Sequence, residues 1–321
     1  MIASLTLAVK SVLPLFFWIL LGFGAKRILK IPDSAVRFAN KLVFVFLLPL
    51  SIVLNIMQTH IRHVVQPGLI CFCIVAILAT WGGSWIIATR REPAHPKRGA
   101  MIQGMFRSNF VLFGMPLVSN IYSGAHAGVT SFMIAIVVPL YNVLAVFTLE
   151  THRRDRAPGK IRIGKVLLGV LKNPLILGSM VGLALLLFGV KLPDGLVAGA
   201  NWVSRASTYF ALTAMGAAFK LSSVRGDLKR LFVVVPMRLI IWPLIMLTCA
   251  ILVGFRGVEL TTLLAAFAAP SAVNSYTMAE LMGNDGPLAA SIVVFTTLFA
   301  AITVFLFVFT LGGLGFIGTV T

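Results

Sequence analysis

Nine carboxylates and five histidines are the groups in this chain that could run acid, base or metal chemistry. Asp33, Glu92, Glu150, Asp155, Asp194, Asp227, Glu259 and Asp285 fall in polar connections or at the ends of apolar runs, and so do His60, His63, His95, His126 and His152. Only Glu280 lies within an apolar run. No HExxH pair is present to hold zinc, no two aspartates lie deep in apolar sequence, and no G-x-S-G nucleophile motif occurs. The chain is therefore not expected to be an enzyme. Cys71, Cys73 and Cys249 all lie in apolar runs. Two residues apart on a helix, Cys71 and Cys73 face different sides, so neither a metal site nor a disulfide is expected, and no cofactor is implied. Gly159 to Lys165 fits most of a phosphate-binding loop, but Val166 stands where Ser or Thr would hold Mg²⁺ and no strand precedes it. It reads as a basic loop.

The remaining chemistry belongs to amides and prolines. Pro116-Leu-Val-Ser-Asn120-Ile-Tyr122 and Pro270-Ser-Ala-Val-Asn274-Ser-Tyr276 both read P-x-x-x-N-x-Y inside apolar stretches. A proline within a helix removes one backbone hydrogen bond and clashes with the preceding turn. In lipid the freed carbonyl must find protein, water or a ligand. Interrupted helices at corresponding places in two halves are a pointer to a transporter binding site.

The elements that would position these residues follow from composition. Hydrophobic residues are 59% of the 321 and charged residues 11%, against roughly 25% charged in soluble domains. A polytopic membrane protein is expected, with no room for a second soluble domain and no cleaved signal peptide, since Lys10 follows the apolar Met1–Val9 without a small-residue cleavage site. Ten apolar spans are predicted, among them Leu42–Met57, Gly99–Ile121, Val166–Gly189 and Leu260–Met282. The net charge of +18 does not indicate nucleic acid, because the basic residues cluster in alternate connections. Lys26 to Lys41, Arg90 to Arg98, Arg153 to Lys165 and Lys220 to Arg230 mark the cytoplasmic side, which leaves both termini outside.

The halves repeat. Lys30-Ile-Pro32-Asp33-Ser-Ala-Val36-Arg-Phe-Ala39-Asn40 matches Lys191-Leu-Pro193-Asp194-Gly-Leu-Val197-Ala-Gly-Ala200-Asn201 at six of eleven positions, with an offset of 161 (191 − 30). The proline motifs have an offset of 154 (270 − 116). Five spans per half place the halves in opposite orientation, so the expected fold is all-α: ten transmembrane helices in a five-plus-five inverted-topology repeat, with residues 1–150 as the first repeat, 151–165 as a cytoplasmic linker and 166–321 as the second repeat.

Polar groups at bilayer depth usually face the protein interior or water. Arg107, Asn109, Pro116 and Asn120 occupy the fourth span, and Pro270, Ser271, Asn274, Tyr276 and Glu280 the ninth. The bland alternative is that Asn109 and Asn274 hydrogen-bond neighbouring helices. A broken helix offers free N–H groups and a partial positive charge, which favours an anion. Arg107 either joins this element or sits at the cytoplasmic interface. Asn142, after Pro139 and Tyr141, is a further lining candidate. Arg205 and Arg238 are expected to snorkel, and Gly178-x-x-x-Gly182 to form a packing face.

Arg107-Ser-Asn109, Gly114-Met-Pro116-Leu117, Leu140-Tyr-Asn142-Val143-Leu144, Ala269-Pro270-Ser271-Ala272-Val273-Asn274 and Phe46-Leu-Leu48-Pro49 together resemble the auxin efflux carrier family over the whole chain, in particular its bacterial, malonate-transporter-like branch. The resemblance implies a fold akin to the bile acid:sodium symporters, with helices four and nine crossing at Pro116 and Pro270 and substrate near Asn109 and Asn274. The third span, Pro67–Thr89, has no ionisable carboxylate or base in its interior, so the energy coupling of plant members does not carry over. The expected function is alternating-access transport of small organic anions such as carboxylates or dicarboxylates. The alternatives are a sodium-coupled carrier of larger amphipathic anions and a non-transporting membrane sensor. Expected partners are the substrate anion, the lipid bilayer and H⁺ or Na⁺ as coupling ion, with Glu280 and Arg107 as coupling candidates; a homodimer is compatible with the sequence. The expected location is a bacterial plasma membrane.

Overall fold

The computed structural model describes residues 16–57, 66–122, 127–154, 163–190, 193–219 and 221–318. The expected loop around His126, the middle of the linker, the N-terminal run and Lys191 of the repeat lie outside them. All regular elements among the described residues are helical; an isolated antiparallel bridge joins Ser108 to Ser271. Among the described residues, five helices are long and apolar enough to cross a membrane: Asp33–Leu54, Pro67–Arg91, Phe132–Thr151, Val224–Val253 and Gly286–Gly313.

Helix α1 (16–28) leads to α2 (Asp33–Leu42), a π turn (Val43–Leu47) and α3 (Leu48–Met57), which run on without a gap. The helix thus begins nine residues before the predicted Leu42. Pro32 precedes it, Asp33 favours its N-terminus, and Val36 and Asn40 turn inward while Arg37 and Lys41 face out. Charged residues had made an amphipathic first turn look like a connection. Next come α4 (Pro67–Arg91), α5 (His95–Phe106), α6 (Phe110–Ile121) and α7 (Ala127–Thr151). The second half contains α8 (Ile163–Leu171), α9 (Pro174–Leu187), α10 (Asp194–Ala218) and α11 (Leu221–Pro236). A second π turn (Met237–Ile241), α12 (Trp242–Val253), α13 (Gly257–Ala268), α14 (Asn274–Leu281) and α15 (Gly286–Gly313) complete it.

Both π turns end two residues ahead of a proline, Pro49 and Pro243. Each proline withholds the donor that a regular ladder needs one turn back, and the π geometry absorbs the mismatch. The predicted sixth span is interrupted at Lys172-Asn173: Asn173 Oδ1 accepts from Leu175 N–H at 3.0 Å and caps α9 directly ahead of Pro174.

Helices α5 and α13 form the centre. Every residue from Gly99 to Phe106 and from Leu260 to Ala268 is buried, as expected of helices enclosed on all sides. The outer helices expose Phe188, Trp202, Phe232 and Leu252, an apolar exterior suited to hydrocarbon. Glycines set the closest approaches. A Cβ at Gly178 or Gly182 would come within 2.9 Å of the Pro49 or Val53 backbone, so the G-x-x-x-G face of α9 does pack on α3. A Cβ at Gly22 or Gly216 would strike the backbone of α10 or α1 at 1.9 to 2.0 Å.

Candidate functional site

The two interruptions of the central helices meet. Pro270 pushes Ala269 into extended backbone (φ −64°, ψ 153°), because the residue before proline is barred from the helical region; α13 ends there and α14 starts at Asn274. In the first half, α5 ends at Phe106, Arg107 is extended (φ −81°, ψ 117°), and α6 starts after Asn109. No proline enforces that second break. Its backbone is held by the other one: Asn109 N–H donates to the Pro270 carbonyl at 2.9 Å, and Ala272 N–H donates to the Arg107 carbonyl at 3.3 Å. Ser271 anchors the joint, its Oγ donating to the Gly104 carbonyl at 2.6 Å and its N–H to Thr296 Oγ1 at 3.2 Å.

The break in the first half therefore lies at Arg107–Asn109 and not at Pro116, which sits inside α6. The P-x-x-x-N-x-Y overlay put the wrong residues in correspondence. The residues that pair, Ser108 and Ser271, are 163 apart (271 − 108), close to the 161 of the Lys30 and Lys191 match and unlike the 154 of the proline motifs.

Beside the joint is a cavity of about 260 Å³, lined among others by Arg107, Ser108, Asn109, Asn142, Asn274 and Thr208. The N-termini of α6 and α14 open on it through Phe110 and Asn274, bringing free backbone N–H groups. Arg107 is 3% exposed. One guanidinium nitrogen donates to Asn142 Oδ1 at 2.6 Å and another lies against Met278 Sδ. Asn142 also reaches Ser179 Oγ at 3.5 Å. No carboxylate among the described residues pairs with Arg107 or lines this cavity. Three buried polar atoms of wall residues, Ser108 Oγ, Asn109 Nδ2 and Asn274 Oδ1, have no partner among the described residues. A buried cation without counter-charge is costly. The guanidinium is held there by the neutral acceptors of Asn142 and Met278.

Of the residues singled out from sequence, the cavity brings together Arg107, Asn109, Asn142 and Asn274. Arg107 is a wall residue at the break, not an interfacial one. Pro270 and Ser271 build the joint behind it. The side chains of Pro116 and Asn120, farther along α6, lie outside what is described. Tyr276 and Glu280 face a separate cavity of about 150 Å³, shared with Lys26, Asp33, Arg37 and Asn40. In the wall of that smaller cavity Asn40 Nδ2 donates to Tyr276 Oη at 2.9 Å. Glu280 is exposed, and its carboxylate packs against Gly286 at the start of α15, a favourable place for negative charge.

Arg238 was misread. It does not snorkel: it is 1% exposed and donates to backbone carbonyls of both central helices. The signal was present, since it lies eight positions beyond Arg230, the last basic residue of the preceding connection in the sequence, about 12 Å along a helix at 1.5 Å per residue. An arginine that deep in an apolar run must find partners inside the protein.

A chain whose described residues are all helical, with five membrane-length apolar helices among them and a cavity lined by buried polar residues between interrupted helices, is a multi-pass membrane protein of the transporter class. Residues 7–308 match the model of the membrane transport protein family, the auxin efflux carriers, and the chain belongs to that family. It is 24% identical over 303 residues to an uncharacterized transporter of Methanocaldococcus jannaschii, a match that covers 91% of this chain and 95% of that one.

Proposed function

We propose that this membrane transporter is a secondary carrier of small organic anions, carboxylates or dicarboxylates such as malonate, working by alternating access. The observation that carries the reading is Arg107: a buried guanidinium on a cavity wall, hydrogen-bonded to the neutral Asn142 and sharing that wall with Ser108, Asn109 and Asn274. An anion would complete its charge and supply acceptors for Asn109 and for the N–H groups of α6 and α14. A volume of about 260 Å³ suits a solute smaller than a drug-sized ligand, whose sites run from roughly 300 to 1,000 Å³. That favours a short dicarboxylate over a large amphipathic anion.

The scaffold of the proposal is ten spans in a five-plus-five inverted repeat, with α5–α6 as the fourth and α13–α14 as the ninth. The basic connections face the cytoplasm and both termini face outward, in a bacterial plasma membrane. In that orientation the smaller cavity, lined by Lys26, Asp33 and Arg37 of the first basic connection, lies toward the cytoplasm. Each negative charge moved outward gains about 2.3 kcal/mol per 100 mV, inside negative. Export then needs no coupling ion, and uptake needs H⁺ or Na⁺, for which Glu280 in the inner cavity is the candidate.

The test is uptake of radiolabelled malonate into proteoliposomes, with membrane potential, pH gradient and sodium gradient imposed one at a time. Saturable flux that follows one gradient establishes the carrier and its coupling. Binding without flux would make the protein a sensor, and neither binding nor flux for any carboxylate would end the anion reading.

A further inference from the structure

Arg238 stands at the same joint as Arg107 but off the cavity wall. Its Nε and one Nη donate to the Ala269 carbonyl at 2.9 and 2.7 Å. It also reaches the Ala266 carbonyl at 3.4 Å and the Phe106 carbonyl at 3.1 Å. Those are the last carbonyls of α13 and α5, the groups that a helix leaves unpaired at its C-terminus. The side chain comes from a third element, the π turn Met237–Ile241, held between Pro236 and Pro243. One guanidinium fork thus holds both breaks at once.

The charge matters as much as the geometry. A helix C-terminus carries a partial negative charge equivalent to about half an elementary charge. Helices α5 and α13 both end at the joint, so their two ends together would offset the one positive charge of Arg107. We infer that Arg238 is the positioning residue of the anion site: it neutralises the C-termini of α5 and α13 and holds the two breaks in register, so that the cavity keeps the net positive field of Arg107 and of the α6 and α14 N-termini. The inference rests on the anion reading of the cavity and assigns the sign of its field to a residue that does not touch it. Lysine in its place keeps the charge and loses the fork, whereas glutamine keeps donors and loses the charge.

The experiment reads the cavity potential without needing the substrate. Asn274, half-buried on the wall, is changed to cysteine in a full-length protein whose Cys71, Cys73 and Cys249 are replaced by alanine. The rate of modification by the anionic reagent sulfonatoethyl methanethiosulfonate is divided by that of neutral methyl methanethiosulfonate. Arg238→Gln is expected to lower this ratio at least about tenfold, the lower range for electrostatic focusing in a cleft, while Arg238→Lys retains most of it. Both variants lose thermal stability. An unchanged ratio in R238Q, or an equal fall in R238K, would reduce Arg238 to a structural clamp and overturn the inference. Should R238Q fail to fold, R238K alone decides: a retained ratio supports the field and a lost ratio refutes it. Absence of malonate flux in the wild-type protein, with the ratio in the N274C background lowered by R238Q and kept by R238K, would defeat the proposed substrate and leave the role of Arg238 standing.

Discussion

The two breaks look alike in backbone and differ in what they supply. The second, Ala269–Val273, is made by its own sequence: Pro270 forces the chain out of the helix, and Ser271 ties it to Gly104 and Thr296. The first, Arg107–Asn109, contains no proline and takes its shape from the second through the Asn109–Pro270 and Ala272–Arg107 backbone bonds. In exchange it carries the cation and the asparagine that face the cavity. One break provides geometry, the other charge. The lesson is that a site at a helix crossing can divide its labour: the proline-containing half fixes the backbone and the other half adds the charge, while both line the cavity.

This division can be broken or sharpened by mutation, and the largest effect is expected at the charged side. Arg107→Gln is expected to lower malonate flux about a hundredfold or more, on the scale of about 3 kcal/mol for losing one partner of a buried charged interaction, with elution and helix content near wild type. Undiminished flux would remove the cation from the site. Asn274→Ala, which deletes one neutral wall group, is expected to cost about tenfold in apparent affinity, in line with about 1 to 1.5 kcal/mol for a hydrogen bond; substrate titration of flux measures it.

The geometric side is expected to respond in stability. Ser271→Ala gives up the bond to Gly104 and is expected to cost about 1 kcal/mol, read as a fall of a few degrees in thermal unfolding. Pro270→Ala lets Ala269 return to the helix and is expected to impair flux, whereas Pro116→Ala, inside α6 and off the joint, is expected to leave it within about twofold. Equal effects of the two proline changes would contradict the assignment of the break.

The smallest effect lies at the far end of the same helices. Asn284 donates to the Leu149 carbonyl at 2.9 Å, and Asp285 N–H to the Pro96 carbonyl at 3.2 Å, tying α5, α7 and the α14–α15 connection together. His152 is buried in this corner, between Trp85 and His95. Burial lowers its pKa from 6.5 to about 4; the Thr148 carbonyl opposes the shift, and repulsion from His95 and Arg98 adds to it. The unfolded chain takes up this proton first, so the stability that His152 contributes is complete above pH 6.5 and lost as pH falls toward 4. His152→Gln is expected to flatten the dependence of thermal unfolding on pH across that window.

Much of this was legible in the sequence, for identifiable reasons. Apolar runs long enough to span a bilayer, and the break at Pro270, follow from covalent constraints that act within a few residues. Asn109, Asn142 and Asn274 stood out because amides are costly in apolar sequence. The break at Arg107 was not legible, because it is imposed by backbone hydrogen bonds to a segment more than 160 residues away. Pro116 misled for the complementary reason: a proline can sit in a helix when the surroundings accept the missing bond. The separation of Tyr276 and Glu280 from the cavity was also hidden. Both follow Asn274 within two turns of α14, and only the packing of that helix against α2 places them on another space.

The most direct test of the central claim is equilibrium binding of radiolabelled malonate to the purified full-length protein and to its Arg107→Gln variant. Saturable binding by the wild type, displaced by other short dicarboxylates but not by neutral diamides and lost in the variant, is the predicted result. Equal binding by the two proteins would place any anion site elsewhere and contradict the account.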